Sequence, residues 1–302
     1  LATFTYADLV LTRDNGPNLI TNAVTVSFVS GTTYRINNLA GLTAADGNRF
    51  AAFLATPDAP KGTGVIIYPD VRGLHQFYKD LAVRFAEQAG APVFIVHVSC
   101  QPAAEEIIAG RARGVAAYGE TCIQYLFADI TDLERPAPQG ARYVCSPPLR
   151  DASNQPFMWD CLKYGHLQSI STDHCPFDDS QKALGDGDFS KIPNGLAAIQ
   201  HRLPLMWEHG VKDGRISMNR LVDITSTAIA KQFGMPTKGA IAPGMDADII
   251  LLRYDRPNVM PMNNAVGAVV TSMTPAKVDT VIIAGKMVKR DGKLAPATWT
   301  GR

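Results

Sequence analysis

Four short runs, GVIIYPD (64–70), PVFIVHV (92–98), VAAYGET (115–121) and LQSIST (167–172), recur along the middle of the chain. Segments with helical signals, 77–90, 101–114 and 154–165, lie between them. Short runs of this kind read as buried strands, and strands joined through helices pair in parallel. The middle of the chain is therefore expected to be a parallel α/β sheet or barrel. The segment 101–114 carries Glu105 and Glu106 early and Arg111 and Arg113 late, as a helix dipole favours.

Outside this alternation the pattern is looser. VTVSFVS (24–30) alternates like a strand, and NRFAAFLATPDAP (48–60) reads as a strand entering a loop. RYVCSP (142–147) reads as extended. Two long helices are expected near 195–209, kinked at Pro204, and near 217–233, capped by Ser217 and Gly234. The tail, ADIILLRYD (247–255) and KVDTVIIAGKMVKRDGKL (277–294), alternates and turns at Gly285 and RDG, which predicts a small antiparallel unit.

The 29 basic and 28 acidic residues leave a net charge of +1, and no basic run stands out. That balance argues against nucleic acid or a membrane surface as partner. No apolar stretch reaches the length of a membrane span, and LATFTYADLV lacks a signal-peptide pattern. The five cysteines have no C-x-x-C spacing, and an odd number fits reduced thiols and a cytoplasmic location.

Two residues follow strands in places where barrel enzymes build sites. His97 ends PVFIVHV, where it reads either as a hydrogen-bonded core histidine or as a metal ligand. Asp173 follows LQSIST, where it is a helix cap or a metal-binding carboxylate; a buried, unpaired carboxylate is costly. His174 beside it reads as loop support, and Glu120 as a group near a helix N-terminus. The loops CSPPLR (145–150) and IPNG (192–195) expose backbone groups suited to an amide-like ligand. No G-x-S-x-G elbow, dinucleotide fingerprint, phosphate-binding lysine loop or H-x-H occurs.

In order along the chain stand PVFIVHVSC, YGETCIQYL, RYVCSPPLR, STDHCPF, IPNGLAAIQHRLPLMWEHGV, GRISMNRLVDITSTAIAKQFG and KGAIAPGMDADIILL. Residues 90–252 with these motifs resemble the C-terminal half of the dihydropyrimidinase (D-hydantoinase) family of cyclic amidohydrolases. The resemblance implies a (β/α) barrel with a small β-sandwich, and two divalent metals, usually zinc, bridged by hydroxide and a carboxylated lysine. It implies metal binding by His97 and Asp173, and binding of the ring amide by Ser146 and Asn194. The implied reaction is hydrolysis of a hydantoin or dihydropyrimidine ring: activated hydroxide attacks the amide carbonyl, Asp173 acts as general base and then acid, and an N-carbamoyl amino acid results.

Residues 1–89 depart from that family, with no H-x-H, a single histidine (His75) and no assignable bridging lysine. Instead, 42–90 resembles the N-terminal part of a dienelactone-hydrolase-like protein, and 256–294 the C-terminal β segment of other amidohydrolases. The chain thus reads as a composite of 1–89, a barrel half at 90–244 and a tail at 245–302, with joins near 90 and 245–249. The expected fold is an open or incomplete parallel barrel with exposed edges that favour homo-oligomers. Two alternatives stand beside ring hydrolysis. One is a catalytically silent scaffold lacking the full metal site, and the other an ester hydrolase fragment based on 42–90.

Overall fold

The computed structural model describes residues 89–295, residues 82, 83, 86 and 87, and the backbone of four earlier strands. Those strands are β1 (Thr25–Ser30), β2 (Thr33–Asn37), β3 (Phe53–Ala55) and β4 (Gly64–Ile66). They form two antiparallel pairs, β1 with β2 and β3 with β4. The expectation that 64–70 joins the strand at 92–98 in parallel is not met, because β4 pairs antiparallel with β3 in a separate sheet. The connection between β3 and β4 is short, which suits antiparallel pairing. His75 and most of the expected helix at 77–90 lie outside the described residues.

β5 (Val93–Ile95), β6 (Ala117–Cys122) and β7 (Ser169–Ser171) form one parallel sheet in that order. Ile95 pairs with Gly119, and Cys122 with Ser171, so all three C-terminal ends emerge together. Two helices make the crossovers: α1 (Gln101–Ala112) between β5 and β6, and α2 (Asn154–Tyr164) between β6 and β7. α1 buries Ala103, Ile107 and Gly110, spaced four and three apart on one face. Its acidic residues lie beyond the first turn, so only Arg111 in the last turn matches the expected dipole pattern. Cys100 offers no side-chain cap; instead the Gln101 N–H donates to Asn154 Oδ1 at 2.8 Å, so α2 caps α1.

The core fills the space between sheet and helices with Val98, Ile107, Met158, Leu162, Leu167, Ile170, Met206 and Ile224. Each such side chain contributes about 1.5–3 kcal/mol when fully buried. Gly119 makes this packing possible: a Cβ there would stand 2.6 Å from Ile107 Cδ1 and 2.8 Å from Leu167 Cδ2. The helix-facing side of β6 is therefore the side of Gly119 and Thr121. Glu120 and Cys122 point to the opposite face, by the two-residue alternation of a strand.

The expected helix at 195–209 starts later, at Arg202, and runs as Arg202–Leu205 and then with wider π-type turns as Met206–Lys212. Residues 196–201 are held otherwise, because Leu196 bridges His174 in parallel and the Ala198 and Ile199 amides donate to the His174 ring. Pro204 then sits in the first helical turn, where its missing N–H costs nothing. The helical run from Met218 to Gln232 matches expectation, with Ser217 accepting from Arg220 N and Gly234 left-handed at φ 67°. RYVCSP is not a strand: a 3-10 turn, Gly140–Tyr143, precedes irregular backbone.

The tail forms a four-stranded antiparallel sheet with order β11–β10–β9–β8, from β8 (Ile249–Leu252), β9 (Val278–Ile283), β10 (Lys286–Arg290) and β11 (Lys293–Leu294). The helix Ala265–Ser272 was not legible in advance; its Val- and Ala-rich run has strand-like composition, but Asn264 caps it by accepting from Gly267 N. The architecture is an open parallel α/β sheet with an antiparallel C-terminal unit.

Candidate functional site

His97 and Asp173 each lie two residues beyond the end of a strand, β5 and β7, at the C-terminal rim of the sheet. Both adopt left-handed backbone, with φ 54° and 44°. Among the described residues, the other non-glycine positions with positive φ are Ala284 and Asp291. Each of those precedes a left-handed glycine in a tail hairpin, where turn chemistry asks for that conformation. No hairpin explains His97 and Asp173. Left-handed backbone costs an ordinary residue about 1–2 kcal/mol, and such strain collects where side chains must be aimed.

The aim is mutual. His97 Nε2 stands 3.8 Å from Asp173 Oδ1, and both side chains are about one third exposed or less. That distance is too long for a hydrogen bond. It fits two ligands of one ion, since donors each about 2.0–2.1 Å from zinc stand up to about 4.2 Å apart. Asp173 is not a helix cap; the short helix that follows is capped by Asp178. His174 supports the loop as expected, its Nδ1 accepting from Ala198 N at 3.0 Å and Ile199 N at 3.2 Å.

Two further groups face this rim. Glu120 is in the middle of β6 rather than at a helix N-terminus, which corrects the sequence reading, and Cys122 ends the same strand. Donor atoms of His97, Glu120 and Cys122 all lie within 4.8 Å of one another, so this trio could hold a metal ion. Ser171, opposite Cys122 in the register, places its hydroxyl 3.2 Å from Cys122 Sγ and also hydrogen-bonds Glu120. Burial pushes the Glu120 carboxyl above its ordinary range, against the pull of Ser171 and His97. Burial likewise holds the Cys122 thiol far above its ordinary value. The signal for both was present in sequence, since residues two apart on a strand share a face, but their partners come from β5 and β7.

Ser146 and Asn194 sit on loops tied to one another. The Lys182 ammonium donates to the carbonyls of Val144, Pro193 and Gly195 at 2.9, 2.7 and 3.0 Å. Gly195 N also donates to Val144 O, and Tyr125 Oη donates to Pro147 O at 2.9 Å. Burial lowers the Lys182 pKa from its ordinary value. These loops flank Asp173: the Cys175 amide donates to Leu196 O at 3.1 Å, and Cys145 lies within electrostatic reach of Asp173. A shallow cavity lined by Glu87, Gly90 and Arg113 opens at the opposite end of the strands, away from all of these groups.

A model described as the amidohydrolase family matches residues 95–288. A D-hydantoinase from Geobacillus stearothermophilus is 49% identical over 172 residues, which are 56% of this chain and 36% of that protein. A dihydropyrimidinase from Arabidopsis thaliana is 40% identical over 173 residues, 57% of this chain and 33% of that one. Among solved structures, D-hydantoinase from a Bacillus species is similar with a TM-score of 0.58 and 41% identity, covering 73% of this chain and 50% of the other. The chain spans half or less of the length of these relatives. The family match begins at residue 95, so the reading of 42–90 as dienelactone-hydrolase-like finds no support in it.

Proposed function

This chain belongs to the amidohydrolase family, and from that premise we propose that it supplies the later half of a site that hydrolyses the C–N bond of a cyclic amide. The single observation that carries the reading is the pair His97 and Asp173, both left-handed, both at the rim of one parallel sheet, and 3.8 Å apart. The substrate class follows from the relatives, which are D-hydantoinases and dihydropyrimidinases.

In this reading His97 and Asp173 hold a divalent metal, zinc by the nature of the donors. When bound, the metal acidifies water and polarises a carbonyl. Asp173 takes the proton of the attacking water and returns it to the departing ring nitrogen. Water is thereby added across the C–N bond, and the ring opens to an N-carbamoyl amino acid. Ser146 and Asn194 orient the ring amide from their two joined loops; the Lys182 contacts support that role. The division at 89–90 and 244–245 belongs to the same reading, supported by the parallel sheet in the middle and the antiparallel sheet in the tail. So do a cytoplasmic location, supported by five unbridged cysteines, and self-association through β5 and β7, the edges of their sheet. No helix among the described residues is long and apolar enough to cross a membrane.

A second reading, a catalytically silent scaffold, is favoured by one fact: residues 1–89 hold no H-x-H and only one histidine. The test is incubation of the zinc-loaded chain with hydantoin and with dihydrouracil, measuring N-carbamoyl product. Product that disappears in Asp173→Ala supports hydrolysis. A chain that retains zinc yet opens neither ring supports the scaffold and removes the hydrolytic reading.

A further inference from the structure

We propose that Glu120 and Cys122 join His97 as metal ligands, so that this chain carries a mixed nitrogen, oxygen and sulfur site on the inner face of β6. The proposal rests on the metal-binding reading above and names the ligands that complete it from within this chain.

The geometry is that of two neighbouring strands converging. His97 arrives from the rim of β5, while Glu120 and Cys122 project from the same face of β6, two residues apart. All three offer a donor atom within 4.8 Å of the others. A zinc ion bound to nitrogen or oxygen at about 2.0–2.1 Å and to sulfur at about 2.3 Å needs only a modest inward movement of such a trio. Asp173 Oδ1 stands 3.8 Å from His97 Nε2, so the trio extends the site that His97 and Asp173 share.

The competing view is a buried polar network. Ser171 bonds both acids: its hydroxyl lies 3.2 Å from Cys122 Sγ, where either atom can donate, and it also bonds Glu120. Arg202, whose charge reaches Glu120, spends its Nη1 on the Ile170 carbonyl. That network leaves the donor atoms of two acids and an imidazole within 4.8 Å of one another, where a cation would hold all three. Binding would transfer the Cys122 proton to solvent and leave a thiolate on the metal. A thiolate selects zinc, cobalt or cadmium over magnesium or calcium.

The experiment is X-ray absorption on the full zinc-loaded chain, together with cobalt(II) titration followed in the near ultraviolet. The expected result is one sulfur neighbour at about 2.3 Å from zinc and a thiolate-to-cobalt charge-transfer band. Cys122→Ser should abolish the band, and Glu120→Gln should keep it while weakening cobalt binding by at least about tenfold. The absorption measurement needs no variant, so a misfolded Cys122→Ser leaves the test intact. Zinc bound with only nitrogen and oxygen neighbours overturns the proposal. In that case loss of binding in His97→Ala and Asp173→Ala shows that the broader reading survives without it. No zinc bound at all removes both.

Discussion

Replacing Lys182 by methionine keeps the length of the side chain and deletes its charge. The ammonium is 2% exposed as a residue and donates to three backbone carbonyls on two loops. The Val144 carbonyl would keep its bond from Gly195 N, so Pro193 and Gly195 lose the partner seen here. Each buried carbonyl left unpaired costs about 1–3 kcal/mol. Part of that is offset, because the folded chain no longer has to bury an ammonium, whose pKa burial already lowers. A net loss of ~2–4 kcal/mol is expected. For a unit of about 200 residues that is a fall in Tm of about 4–16 °C. Thermal unfolding followed by circular dichroism measures it, and hydrogen exchange locates it: the Gly195 amide should exchange faster, while amides of α1 should change little. Lys182→Arg should recover only part of the loss, since a planar guanidinium cannot aim at three converging carbonyls. A loss below about 0.5 kcal/mol, the scale of ordinary surface substitutions, would refute the view that Lys182 clamps the Ser146 and Asn194 loops.

Three further outcomes follow from the same structure. Gly195→Ala would place a Cβ 2.4 Å from the Cys175 carbonyl oxygen at φ 149°, so it should destabilise the chain and accelerate proteolysis near 194, read by urea unfolding and mass spectrometry. Of the five unbridged thiols Cys175 is exposed, Cys100 is half-buried and Cys122, Cys145 and Cys161 are buried; Ellman's reagent should meet one fast thiol, absent in Cys175→Ser, ahead of a slower one. Burial pushes both Cys145 and Cys161 up to about 12, from an ordinary value of 9.0. The unfolded chain therefore releases these protons first, and the contribution they make is intact below pH 9 and lost as pH rises towards 12. Urea midpoints measured across that window should fall, and a flat profile would contradict the assigned burial.

Much of the fold was legible because its signals are local. The strands at 93–95, 117–122 and 169–171 and the two crossover helices sit where apolar runs and helical periodicity place them. His97 and Asp173 were visible for the same reason, as polar residues directly after buried strands. What escaped depends on distant partners. Glu120 looked like a helix-start residue because nothing in YGETC shows that His97 will lie above it. Lys182 resembled any surface lysine, since its three carbonyls come from 11 to 38 residues away. The late start at Arg202 was hidden because the amides that would have begun the helix are taken by His174, 24 and 25 residues earlier.

The central claim is that His97 and Asp173 share a divalent metal in this chain. Zinc per chain, measured by elemental analysis on protein purified without chelator, tests it directly. The account predicts at least about one zinc per chain, as a site of His and carboxylate donors holds, and its loss in both His97→Ala and Asp173→Ala. Zinc no higher in the unaltered chain than in those variants would contradict it.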